Sequence, residues 1–377
     1  MNKIFANTLI IAAVLVVLLV SAGCTAQSTP QSITQADSGK ISVTDMANRT
    51  VEVKNDPQRI IGVGAGALRM ISYLNAADLV VGVDDREQKT YNTSGFGMPS
   101  GVDKPYNLAN PELEKKPFIG SRSGDPELIA AQNPDVVFFT FTTGKDAQAL
   151  QEKSGKPVVA LVSGDLGKNK ETFYQSLNLM AKILGKEERA ETITSYIDAT
   201  IADLKSRTKD IPADKRPTVY VGGIAYNGAH GFLSTDPGYA PLMMVNGNNV
   251  AASAGTGGQM MIDKEKLLEW DPDIIFVDEA SYSLVKDDLK DPVYQSLTAV
   301  KNGRVYGVMP YNWYANNYDT VLADAYYIGK ILYPEQFADV DPAVKADEIY
   351  TMLDGKPVYS NMSTLFGGFV PFSTLVK

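Results

Sequence analysis

One segment of this chain occurs twice. "DPELIAAQNPDVVFF" at 125–139 returns as "DKEKLLEWDPDIIFV" at 263–277, with Asp125/Asp263, Glu127/Glu265, Pro134/Pro272, Asp135/Asp273 and Phe138/Phe276 identical in register. Each copy runs from an acid through a short helical stretch and a Pro-Asp step into β-branched and aromatic residues. The separation is far longer than the roughly 20–50-residue period of a solenoid. It fits two related lobes, each built on its own sheet and each contributing an equivalent helix–strand unit. A length of 377 residues agrees with about two domains.

The surrounding pattern supports this. Residues 41–53 alternate as two short strands about a turn at Asn48. "RIIGV" (59–63), "LVVGV" (79–83), "DVVFFTF" (135–141) and "PVVALV" (157–162) read as strands, with helices at 67–74 and 126–132. Continuous β-branched runs separated by helices indicate parallel strands covered on both faces. A long helical region follows, in which Ile193, Ile197, Ile201 and Leu204 form one apolar stripe. A second βα set occupies 217–223, 264–270, 273–277 and 304–309, with a helix over 320–333. The expected fold is α/β: two Rossmann-like lobes with central parallel sheets, joined by one long spine helix, with a ligand cleft between them. The expected boundaries are 1–23 for a signal peptide, 24–40 for a tether, 41–170 for the first lobe, 171–211 for the helical region and 212–377 for the second lobe.

Lys3, the apolar run at 9–20 and the small residues "SAG" before Cys24 make an export signal too short for a confident membrane span. Cys24 is the only cysteine, so no internal disulfide can form. Its setting resembles the lipobox of prokaryotic lipoproteins, with Ser21 where a Leu is usual, and implies lipid attachment at Cys24. The rival reading is an uncleaved anchor helix with an incidental cysteine. Either way the chain lies outside the cytoplasm, at the outer face of the cell membrane. The Ser/Thr/Gln-rich stretch 25–40 reads as a flexible tether. A net charge of −9 excludes the basic footprint that nucleic acid binding needs.

Gly62, Gly64 and Ala67 satisfy a dinucleotide-binding pattern after a strand, with Asp84 at the end of the next strand. That would make a nicotinamide-dependent oxidoreductase. An exported protein meets no pool of that cofactor, and the single histidine, His230, offers no convincing acid/base pair. No His/Cys/carboxylate cluster has metal-ligand spacing, so neither a directly bound transition metal nor a resident cofactor is expected.

"RIIGVGAGALRMISYLNAADLVVGVDD", "GSRSGDPELIAAQNPDVVFF", the spine helix and "DKEKLLEWDPDIIFVD" with "NGRVYGV" after it together resemble the substrate-binding lipoproteins of ABC importers. The class is the one with a rigid helical spine, which serves ferric siderophores, haem, cobalamin and, in some members, molybdate or tungstate. The resemblance covers roughly residues 41–375. It implies a monomeric binder that performs no chemistry. It also implies that Glu127 and Glu265 meet arginines on the two permease subunits; two related lobes on a two-fold partner should present equivalent anions at equivalent places.

Ligands of open α/β sheets sit beyond the carboxyl ends of the strands, which selects five loops. Ala65, Gly66 and Arg69 follow the first strand, where glycines and a helix start suit an anion. Arg122 and Ser123 precede the repeated segment, and Phe141 with Thr142 follows its strand. Tyr226, Asn227 and His230 follow the first strand of the second lobe. Tyr311, Trp313, Tyr314 and Asn316 belong to "YNWYANNYD", whose aromatic faces and amides suit a large chelate or a desolvated oxyanion. Arginines near a cleft in an acidic chain point to an anionic ligand. An iron(III)-siderophore-type chelate is the first expectation, with molybdate/tungstate, haem or cobalamin as alternatives.

Overall fold

The computed structural model describes residues 39–89 and 103–375; the apolar run, Cys24 and nearly all of the tether lie outside them. Strands β1 (Lys40–Thr44) and β2 (Thr50–Lys54) form an antiparallel hairpin. Asn48 takes a left-handed φ of 59° at its turn, a conformation asparagine tolerates. The Asp45 carboxylate accepts hydrogen bonds from the Ala47 and Arg49 amides and closes that turn.

Then come β3 (Ile60–Val63), α1 (Ala67–Tyr73), β4 (Val80–Gly82), α2 (Pro105–Ala109), α3 (Pro126–Ala131), β5 (Val136–Phe139), α4 (Gly144–Ser154) and β6 (Val158–Ala160). The strands form a parallel sheet in the order β4-β3-β5-β6. Helices α5 (Lys170–Leu184) and α6 (Glu187–Thr208) lead out of this lobe. At 1.5 Å per residue, the 22 residues of α6 span about 33 Å. Its buried face carries Ala190, Ile193, Ile197, Thr200, Leu204 and Thr208; Ile201, expected on the stripe, is only half-buried.

The second lobe comprises β7 (Thr218–Gly222), β8 (Ser234–Thr235), α7 (Ala240–Met244), β9 (Asn248–Asn249), β10 (Met260–Met261), α8 (Lys264–Trp270), β11 (Ile274–Asp278), α9 (Tyr282–Asp288), α10 (Thr298–Lys301) and β12 (Val305–Val308). Its parallel sheet runs β9-β7-β11-β12, while β8 and β10 form a small antiparallel ladder. Counting only the four strands of each parallel sheet in chain order, the second flanks the first, followed by the third and fourth. The repeated segments are α3–β5 and α8–β11, the same unit in each lobe. Helices α11 (Tyr318–Leu332), α12 (Pro342–Asp354), α13 (Tyr359–Phe366) and α14 (Phe372–Leu375) complete the chain.

Alternation along the strands explains how the lobes join. Successive side chains of a strand face opposite sides of the sheet. Ile60 and Phe138 of the first sheet, and Val219, Val221, Ile274 and Phe276 of the second, enter one continuous core with the spine helix and α11. Their neighbours Ile61 and Val137, or Tyr220 and Ile275, enter separate cores on the outer faces. The lobes therefore share a central core. Helix α12 packs on α11 and also touches α1 and α2 of the first lobe. From the spine, Arg189 Nε donates to the Tyr73 carbonyl at 2.9 Å. No helix among the described residues is long and apolar enough to cross a membrane.

Candidate functional site

The carboxyl ends of both sheets face a common cleft of about 370 Å³, lined from the first lobe by Gly64, Ala65, Arg86, Arg122, Ser123, Phe139, Thr140 and Phe141. From the second lobe come Ala225, Tyr226, Asn227, Gly228, Asn312, Trp313, Tyr314 and Ala315. In each lobe a side chain at the end of the repeated strand holds the loop after the first strand, with opposite hydrogen-bond polarity. Thr140, just past β5, donates from Oγ1 to the Ala65 carbonyl at 2.8 Å. Asp278, at the end of β11, accepts from the Ala225 amide at 3.1 Å. Gly64 has φ 83°, and a side chain there would meet the Thr140 carbonyl at 2.5 Å, so glycine lets these loops pack closely.

Eight expected residues meet at this cleft: Ala65, Arg122, Ser123, Phe141, Tyr226, Asn227, Trp313 and Tyr314. Arg122 is exposed and has no hydrogen bond or ion pair to another described residue, so its guanidinium is available to a ligand. Phe141 and Tyr226 are 70% and 53% exposed, an unusual amount of bare aromatic surface. The other six lie elsewhere. Thr142 faces an adjoining hollow with Thr143 and Asn169, because Phe141 turns the chain through a left-handed φ of 51°. His230 is a loop fastener: its Nε2 donates to the Tyr226 carbonyl at 2.8 Å and its amide to Ser281 Oγ. Tyr311 packs its ring on Tyr239, and Asn316 pairs with Asn312 across the base of the loop.

Arg69 and Gly66 need the largest correction. Arg69 is fully buried in α1, every residue of which is buried. It donates to Asn317 Oδ1 at 3.0 Å and to the carbonyls of Trp313, Tyr314 and Ala315 at 3.3, 3.0 and 3.2 Å. Gly66, with φ 86°, lies against this guanidinium; a side chain there would meet Arg69 Nη1 at 3.1 Å and Ser163 Oγ at 3.2 Å. Arg69 therefore supports the cleft floor from behind.

Arg86 was missed, although it follows β4 where the same carboxyl-end rule applies. Its guanidinium sits over the Tyr314 ring, 5.2 Å from the centroid. The Tyr314 hydroxyl donates to Asp84, whose other oxygen accepts from the Arg86 amide at 3.0 Å. Burial, and then the neighbouring Glu87, push the Asp84 carboxyl up to about 7. Beneath lies a fully buried Lys104, 3.2 Å from Glu87 and enclosed by the Tyr106, Trp313 and Tyr314 rings at 5.6–5.7 Å. Burial lowers the Lys104 pKa while Glu87 opposes that effect. Among the described residues no cluster of His, Cys, Asp and Glu could hold a metal ion. The cleft offers guanidinium donors and aromatic faces.

Glu127 and Glu265 lie outside the cleft. Each is exposed and occupies the second position of its helix, after caps at Asp125 and Asp263.

The chain resembles the molybdate-binding protein MolA of Haemophilus influenzae, at 26% identity over 82% of this chain and 89% of that protein. It is 23% identical to the petrobactin-binding protein YclQ of Bacillus subtilis over 80% of this chain and 90% of that protein. A periplasmic solute binding protein from Veillonella parvula shares the fold with a TM-score of 0.66 and 22% identity, over 87% of this chain and 96% of that one. The family described as periplasmic binding protein matches residues 97–311, more than half of the chain, and the chain belongs to that family.

Proposed function

We propose that the protein is the extracytoplasmic receptor of an ABC importer and that its cargo is an anionic iron(III)-siderophore-type chelate. The observation that carries this reading is the pairing of Arg86 and Arg122 with the bare rings of Phe141 and Tyr226 around one cleft. Guanidinium forks suit carboxylate or catecholate oxygens. Exposed aromatic faces gain when an organic scaffold covers them. Ser123, Asn227 and Asn312 supply polar contacts at the rim. Cys24 carries a lipid that holds the receptor at the outer face of the membrane, in keeping with B. subtilis relatives named as lipoproteins. Glu127 and Glu265 meet the permease dimer. The lobe boundaries near residues 170 and 212 belong to the same reading.

A metal oxyanion is the second reading, favoured by the 26% identity to a molybdate-binding protein. A tetrahedral oxyanion would engage the arginines and leave Phe141 and Tyr226 uncovered. A thermal-shift panel of ferric siderophores, haem, cobalamin, molybdate and tungstate separates the two. A ligand at 100 times its Kd adds about 2.7 kcal/mol of stability. A response to ferric chelates supports the first reading; a response confined to molybdate and tungstate overturns it.

A further inference from the structure

We propose that Arg69 is a positioning residue that sets the binding surface by clamping the loop Tyr311–Asn317 from behind. This rests on the reading that the cleft is the ligand site.

The loop is held in a conformation it would not keep alone. Tyr314 and Ala315 are consecutive left-handed residues, with φ of 52° and 65°. L-residues with a Cβ avoid that region, and two in succession are rarer still. Helix-like conformations turn successive carbonyls to one side, and here the carbonyls of Trp313, Tyr314 and Ala315 converge on Arg69 Nη2. Arg69 Nε completes the clamp on Asn317, whose own amide group donates to the Tyr311 and Trp313 carbonyls at 3.0 and 3.2 Å. The guanidinium sits 5.1 Å from the Tyr106 ring centroid, so its plane is braced on the other side.

The same curl frees groups that a ligand can use. With the carbonyls turned inward, the amides of Tyr314 and Ala315 donate to no acceptor among the described residues. Both residues line the cleft, as does Trp313. Nη2 takes the three carbonyls while Nε reaches the Asn317 amide oxygen from a second point of the same rigid plane; the lysine ammonium is a single point donor on a flexible stem and cannot hold both sites at once. Arg69 also belongs to the first lobe, so the loop is fixed against that lobe and the spacing of both cleft walls is set in the empty protein.

The chain contains two tryptophans, Trp270 and Trp313, so Trp270→Phe leaves a single reporter inside the loop. In the full chain with that background, Arg69→Lys should at least double acrylamide quenching of Trp313 with no ligand present, while far-UV circular dichroism stays native. Affinity for ferric citrate or molybdate, whichever the parent binds, should fall at least tenfold. Adding Ala315→Gly, which adopts the left-handed conformation without a Cβ penalty, should recover part of both losses. Unchanged quenching overturns the proposal, and so does increased quenching with unchanged affinity. If Arg69→Lys does not fold, Asn317→Ala removes one arm of the clamp and must shift the same readouts in the same direction. If the parent binds neither probe, the wider ligand panel decides the proposed function while the quenching result still decides the role of Arg69.

Discussion

Glu279 should make the fold less stable as pH rises, and Glu279→Gln should remove that dependence. The side chain is 4% exposed in the turn after β11, and its only hydrogen bond among the described residues is accepted from the Gly368 amide at 3.1 Å. Its other oxygen has no hydrogen-bond partner among the described residues and sits so close to Gly307 that any side chain there would collide with it. Burial first, and repulsion from Asp278 after it, push this carboxyl from 4.5 up to about 8, against the pull of the Gly368 amide. A raised folded-state value means that the native protein holds the proton longer than the unfolded chain does. The stabilisation is therefore complete below about pH 4.5 and is lost as pH climbs through about 8. At about 1.4 kcal/mol per pH unit the full interval sets a ceiling near 5 kcal/mol, and relaxation around the ionised group reduces it to roughly 2–4 kcal/mol. Glutamine keeps an oxygen for the Gly368 amide and cannot ionise. Urea unfolding followed by circular dichroism at pH 5 and pH 8.5 should find the two proteins close at pH 5 and the variant more stable at pH 8.5. Parallel stability profiles, or a variant weaker at pH 8.5, would refute the argument.

Three further outcomes follow from the same geometry. Lys104→Met leaves Glu87 buried without its partner and should cost about 3–5 kcal/mol, most of it restored by adding Glu87→Gln; a double-mutant cycle in urea measures the coupling. Arg122→Ala and Arg86→Ala should each weaken an anionic ligand by about 1.5–3 kcal/mol, roughly ten- to 150-fold by calorimetry. Arg122→Ala should leave the unfolding midpoint unchanged, because Arg122 bonds to no other described residue. Charge reversal at Glu127 and Glu265 together should abolish cellular uptake of the cargo while its affinity for the isolated receptor stays the same.

The fold was legible because strands buried on both faces write continuous β-branched runs, and "RIIGV" and "DIIFV" could hardly be anything else. Equivalent α3–β5 and α8–β11 units followed from sequence identity at Asp125/Asp263 and its partners. The last forty residues were not assigned, although Asp341 followed by Pro342 is a helix start; Asp341 caps α12 by accepting from the Ala343 and Val344 amides. Within the site, loop position was readable and side-chain direction was not. Arg69 lies at the start of the expected helix 67–74, near the right strand end, but its neighbours Leu68, Met70 and Ile71 are all apolar, the sign of a buried arginine. Arg86 lay at the end of β4 in "VDDREQ", where Asp84 drew attention as a nucleotide-binding acid. The left-handed turns at Phe141, Tyr314 and Ala315, which aim the cleft residues, leave no mark in the sequence because none is glycine or asparagine.

The most direct test is an anomalous-difference map at the metal edge from crystals of the loaded receptor. The account predicts one metal peak in the cleft, within reach of Arg86 and Arg122, with the organic scaffold over Phe141 and Tyr226. A metal bound outside the cleft, or bound in it with both arginines turned away, would contradict it.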